Sequence, residues 1–348
     1  MRGRHSGSYV AVLVAGALAA APDAFAHHSF APHFDASKPV SLSGTVTEYE
    51  SRNPHSYLHI AATDENGRTR EYVCESHGVT QLTRAGLRPD MLQAGTKVRV
   101  TGSLSRHSPY MCFFDSVEFA DGRRVSVNSP ASAAPPVAPR RDIFGTWLLA
   151  PAPNRSTSGP QPMMPFLTPA GQRAVAAYDP FHDDPTFRCD PVGIRRVWAA
   201  PGTPLEIVRD GGNIVLHHEW MDVRRVVHMD TREHPKNGPR SSLGHSIGRF
   251  EGDTLVIETA NYSKGVLNQY VEQPGQPTRG LLHSAALTSI ERLRFDAARQ
   301  RLIVEIDLAD PEYFTRPFPR VAFEYAPSAL TIEPFNCSPE GLTGALRK

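Results

Sequence analysis

Between Asn128 and Arg141 the chain reads NSPASAAPPVAPRR, a Pro/Ala/Ser-rich run with no apolar period. Such a run forms neither helix nor strand and works as a linker. It divides the chain into residues 27–127 and residues 142–348, preceded by residues 1–26, so any fold must be built as two units. All four cysteines obey this division: Cys74 and Cys112 precede the linker, Cys189 and Cys337 follow it. An even count with no C-x-x-C spacing points to disulfides Cys74–Cys112 and Cys189–Cys337 in an oxidising compartment. Free thiols serving as metal ligands are the rival reading.

Residues 1–26 are expected to be a signal peptide. Arg2 and Arg4 precede an apolar run from Tyr9 to Ala21, and Ala24-Phe25-Ala26 is a small-x-small cleavage site. The run is shorter than the roughly 20 residues a spanning helix needs. After cleavage no integral membrane segment is expected, and the location is periplasmic or secreted. The whole chain carries 37 basic and 36 acidic residues. Removing Arg2, Arg4 and Asp23 leaves 35 of each, so the mature charge is zero. A balanced chain lacks the concentrated basic surface that nucleic acid or anionic lipid requires, and no nucleic-acid partner is expected.

Both units read as mainly β. In the first, alternation predicts strands over Val40–Tyr49, Tyr57–Thr63, Thr69–Cys74, Lys97–Leu104 and Phe113–Phe119, a short strand over Arg124–Val127, and a helix over Val79–Ala85. Short strands with one helix in their midst suggest a small OB-like barrel. In the second, strands are predicted over Leu205–Arg209, Ile214–Trp220, Arg224–Met229, Ser246–Phe250, Thr254–Thr259, Leu287–Phe295, Arg301–Leu308, Arg320–Tyr325 and Leu330–Pro334. Glycine turns such as Asp210-Gly211-Gly212-Asn213 separate them, which favours hairpins and a larger antiparallel β-barrel or sandwich. Gly145-Thr146-Trp147, ahead of this meander, looks like the start of a lipocalin-type chain.

Two family resemblances follow. His27-His28-Ser29-Phe30, Phe34-Asp35, Leu42-Ser43-Gly44-Thr45-Val46 and Asn53-Pro54-His55 together resemble a family of small periplasmic domains of unknown function, over roughly residues 27–127. Cys74 and Cys112 depart from that pattern. Cys189-Asp190-Pro191-x-Gly193, Arg232-x-His234-Pro235, Gly244-His245-Ser246-Ile247-Gly248-Arg249, Glu251-Gly252-Asp253-Thr254-Leu255 and Asp310-Pro311 resemble an uncharacterised secreted bacterial family. The second resemblance implies a shared β-barrel-like fold and carries no activity.

Fourteen histidines remain in the mature chain. Cleavage after Ala26 would give His27 a free α-amine beside its imidazole, a two-nitrogen chelate. A further histidine would complete a T-shaped three-nitrogen site suited to copper(II), resembling the histidine brace of lytic polysaccharide monooxygenases and periplasmic copper carriers. His55 and His59 are the candidate partners. His107, Met111 and Cys112 form a soft set only if Cys112 keeps its thiol.

In the second unit, His218 shares a strand face with Ile214 and Leu216, and Glu291 shares one with Leu293 and Phe295. A carboxylate among apolar groups suits general acid–base work. His245, His283, Glu291 and Arg249 are therefore the candidate catalytic set, with Arg232, His234 and His218 as candidate ligand-binding residues. The bland alternative is a buried ion pair between Glu291 and one of the arginines. Three functions follow: a periplasmic binding protein for copper or a small ligand; a secreted hydrolase, lyase or isomerase acting on a small organic substrate; or a structural module.

Overall fold

The computed structural model describes residues 33–63, 67–127, 137–150, 161–179, 183–200, 202–271 and 279–339. The proposed signal, His27 and residues 128–136 of the linker lie outside these residues.

Six strands build the first unit: β1 (Phe34–Glu50), β2 (His55–Thr63), β3 (Thr69–His77), β4 (Lys97–Ser105), β5 (Met111–Phe119) and β6 (Arg124–Ser126), with helix α1 (Val79–Arg84) between β3 and β4. The sheet order is β3-β2-β1-β4-β5-β6, and a parallel β3–β5 pairing joins its two sides. Five strands thus close on themselves with one helix in the crossover, the expected OB-like arrangement. Alternation sends Leu58, Ile60, Cys74, Val100, Phe114 and Val117 into an apolar core, which Leu82 of α1 caps. The Cys74–Cys112 disulfide lies on the parallel seam, where the two residues are register partners.

The second unit is a closed nine-stranded barrel, ordered β10-β11-β12-β15-β16-β17-β7-β8-β9. Its strands are β7 (Gly145–Leu149), β8 (Pro204–Asp210), β9 (Asn213–His218), β10 (Val223–His228), β11 (His245–Glu251), β12 (Thr254–Ala260), β15 (Thr288–Asp296), β16 (Arg301–Ala309) and β17 (Val321–Pro327). A separate hairpin, β13 (Gly265–Val271) with β14 (Arg279–His283), interrupts the meander.

Two expectations change. The barrel is antiparallel except where β10 runs parallel to β11, because residues 229–244 cross over instead of turning back. Leu330–Pro334 is not a strand; Glu333 and Phe335 give their backbone N–H groups to the carboxylates of Glu219 and Asp222, outside any ladder. The stretch before Pro204 holds two helices, α2 (Pro169–Ala177) and α3 (Ile194–Val197).

The interior of this barrel is filled. Val192, Ile194, Val197 and Trp198, on and around α3, are all buried in the same core cluster as the inward residues Trp147, Ile207, Leu216, Ile257, Val304 and Ile306. The Cys189–Cys337 disulfide closes a 148-residue separation and ties the start of this plug to the chain's far end.

The two units are docked. Arg84 of α1 makes a two-pronged contact with the buried carboxylate of Glu219, its Nη2 donating to Oε2 at 2.8 Å, and Nη1 also donates to the Gly202 carbonyl at 3.2 Å. Asn53 donates its side-chain amide to the Phe335 carbonyl, and Ser338 N–H donates to the Asn53 carbonyl at 2.8 Å.

Candidate functional site

Alternation on β2 turns Leu58 and Ile60 inward, so His55, Tyr57 and His59 face out of the small barrel. On β3, inward Cys74 leaves Glu75 and His77 facing out. Register then places His55 opposite His77 and Tyr57 opposite Glu75. Although these side chains face away from the core, His55, Tyr57, Glu75 and His77 are all buried. Burial of polar groups outside a hydrophobic core costs free energy unless they have partners. The His55 Nδ1 lies 3.6 Å from the Glu75 carboxylate. Ring contacts continue outward: His77 against Phe113 at 5.5 Å, Phe113 against Phe34 at 5.6 Å, and His33 against His107 at 6.2 Å. The outer wall of the small barrel therefore carries an imidazole- and carboxylate-rich patch that reaches His33, the first described residue.

His59 stands apart from this patch. Its two ring nitrogens contact Glu50 at 3.0 Å and Glu71 at 3.1 Å, so both already face carboxylates. Cys112 is in its disulfide and has no thiolate to offer beside His107 and Met111. His27 lies outside the described residues.

Inside the large barrel, Glu291 and His218 both point inward, as alternation predicts. Glu291 is not a lone carboxylate, however. Arg225 on β10 donates to it through Nη1 at 2.9 Å and Nη2 at 2.6 Å, and the Trp198 indole donates at 2.5 Å. Arg225 Nη2 also reaches the hydroxyls of Ser246 and Thr259, and the Tyr262 hydroxyl meets Ser289 at 2.7 Å. Three donors already engage this carboxylate inside the packed barrel, which suits a structural ion pair. His218 packs edge-on against Trp198 at 5.0 Å. Burial, then the charge of Arg225, hold its pKa well below the ordinary histidine range.

The proposed catalytic set does not converge. Glu291 is inside the barrel, whereas Arg249 projects from the outer face of β11 and pairs with Glu251 and Glu258. Ser246 faces inward, so His245 and Arg249 on either side of it face out. His283 is buried on β14, its Nδ1 donating to the Ser284 carbonyl at 3.0 Å, and burial lowers its pKa. The ion pair foreseen for Glu291 exists, but its arginine is Arg225. That residue carries no local signal, since it lies 66 positions away and meets Glu291 only through barrel closure.

Three of the named residues do gather on the outer face. His234 and His245 approach through their Nδ1 atoms at 3.0 Å, and His228, unremarked among the candidates, stacks on His245 at 4.8 Å. Arg232 is beside them, donating Nη1 to the Gly248 carbonyl at 3.0 Å. Among the described residues, no group of three or more His, Cys, Asp or Glu side chains is arranged to hold a metal ion by itself. No described helix is long and apolar enough to cross a membrane.

Comparison with known proteins adds little beyond this. Residues 15–110 match a family of unknown function (DUF6152), so the N-terminal region carries a domain of unknown function. No curated protein matches. Among solved structures, a mutant of the fluorescent protein UnaG is similar at 12% identity, over 54% of this chain and 97% of that chain, with a TM-score of 0.23.

Proposed function

We propose that the chain is an exported binding protein of the periplasm that takes copper at its small barrel. In this reading, cleavage after Ala26 makes His27 the first residue, and its amine and imidazole chelate copper(II), with His55 as the third nitrogen. The observation that carries the reading is the placement of His55. It is buried on an outer wall, beside the Glu75 carboxylate and opposite His77. A carboxylate at Nδ1 orients an imidazole so that Nε2 becomes the ligand atom. Ring contacts lead from this wall to Phe34 and His33, and the six residues back to His27 span up to about 20 Å when extended. Such a site draws only one nitrogen from the described residues, so it needs no ready-made triplet among them. Export is supported by the disulfides, since Cys74–Cys112 and Cys189–Cys337 leave no free cysteine.

The test is a copper(II) titration, read by calorimetry and electron paramagnetic resonance, on the chain purified with His27 as its first residue. His55→Ala should weaken binding at least about tenfold and remove one nitrogen from the hyperfine pattern. His59→Ala should change neither. Equal binding by the His55→Ala protein would overturn the reading, leaving only a chelate made by the terminus itself.

A further inference from the structure

We propose a separate transition-metal site on the outer face of the large barrel, with the Nδ1 atoms of His234 and His245 as its protein ligands and an ion of copper(II) or nickel(II) type as its occupant. The distance between the two nitrogens is compatible with two cis ligands on one ion. They stand 3.0 Å apart. With metal–nitrogen bonds of about 2.0–2.1 Å, two ligands at that separation subtend about 94° at the metal. Tetrahedral coordination would hold them about 3.3 Å apart, so the pair fits the cis angle of a tetragonal or octahedral ion better than that of zinc.

Both rings are held in place. The His228 ring stacks on His245, 12° from parallel, where β10 runs alongside β11. His234 sits on the crossover, and the crossover is pinned on both sides of it. Arg232 donates to the Gly248 carbonyl at 3.0 Å, and Asn261 donates its side-chain amide to the Pro235 carbonyl at 2.9 Å. Holding a ligand from both flanks is what keeps a site within its productive geometry. All three imidazoles are only half-buried, so the site opens to solvent.

Glu258 lies close enough to act on His234 electrostatically, and it shares its charge with Arg249. The other coordination positions are filled by water, since no third described donor converges. Without metal, one Nδ1–H donates to the other Nδ1; the ion replaces that proton.

The test uses nickel(II) with the full mature chain carrying His27→Ala and His28→Ala, which silences any chelate at the terminus and so separates this site from the one above. One equivalent should bind. His234→Ala and His245→Ala should each weaken it at least about 100-fold, and His228→Ala about tenfold, because His228 only positions a ligand. His217→Ala, on the opposite flank of β10, should have no effect. Paramagnetic broadening on the parent chain gives a readout that needs no further substitution: the side-chain resonances of His234 and His245 should vanish first. An absence of nickel binding, broadening centred elsewhere, or unchanged affinity in His234→Ala and His245→Ala would each overturn the proposal.

Discussion

The two barrels place their buried polar groups in opposite ways. In the small barrel the interior is apolar, and the buried imidazoles and carboxylate, His55, His77 and Glu75, lie on the outer wall. In the large barrel a buried ion pair, Arg225 with Glu291, lies at the centre, beside Trp198, Ser246 and Thr259. The difference is one of position. The central pair is held by groups of the barrel wall and of the plug, so it specifies their packing. The outer-wall groups face away from the apolar core of their own barrel, and that is where a ligand reading has its footing.

The strongest way to break this contrast is Glu291→Ala. It leaves Arg225 as a buried charge without its carboxylate and should cost about 3–5 kcal/mol in denaturant unfolding. Replacing both partners with leucine should recover much of that loss, because a buried pair is often exchangeable for apolar groups. A Glu291→Ala protein as stable as the parent would mean that the centre of the barrel is not structural. Next in size is the double change Cys189→Ser with Cys337→Ser. It releases the plug from the chain's end and should cost about 2–4 kcal/mol, whereas copper binding at the small barrel should be retained. Loss of copper binding in that variant would show that the two barrels do not act separately.

A smaller effect sharpens the comparison through pH. His218 beside the central pair is depressed by burial and by Arg225, so the folded barrel keeps it neutral while the unfolded chain protonates it near pH 6.5. The unfolded state then binds more protons on acidification. Stability is thus complete above about pH 6.5 and falls below it, by up to about 1.4 kcal/mol per pH unit for one such group. His218→Gln should reduce that slope without abolishing it, because His283, His234 and His245 are depressed as well. An unchanged slope would remove His218 from the account. Last, His55→Ala empties a buried position on the outer wall and should cost about 0.5–3 kcal/mol in stability while it weakens copper.

Most strands were legible because one face is buried. Leu302, Val304, Ile306 and Leu308 alternate with polar neighbours, and β16 is where they predict it. The helix between β3 and β4 and the cysteine pairing were legible for similarly local reasons, namely a period and an even count on each side of a linker. What the sequence hid was closure. Arg225 finds Glu291 only when β10 and β15 face across the barrel, and the parallel β10–β11 join looks like one more hairpin until residues 229–244 are traced. Three histidines at positions 228, 234 and 245 have no regular spacing, yet the crossover folds them together. His245 and His283 both read as loop or strand-start positions, but His245 begins β11 whereas His283 ends β14 of the inserted hairpin.

One small feature has a mechanical meaning. Within four residues, Phe335 N–H is taken by Asp222, Phe335 carbonyl by Asn53, Cys337 by Cys189, and Ser338 N–H by Asn53 again. Force applied at this segment would be shared among the barrel wall, the plug and the small barrel, in shear across several bonds at once. An exopeptidase trimming inward would likewise stall at this knot, because each further residue is fastened from a different side.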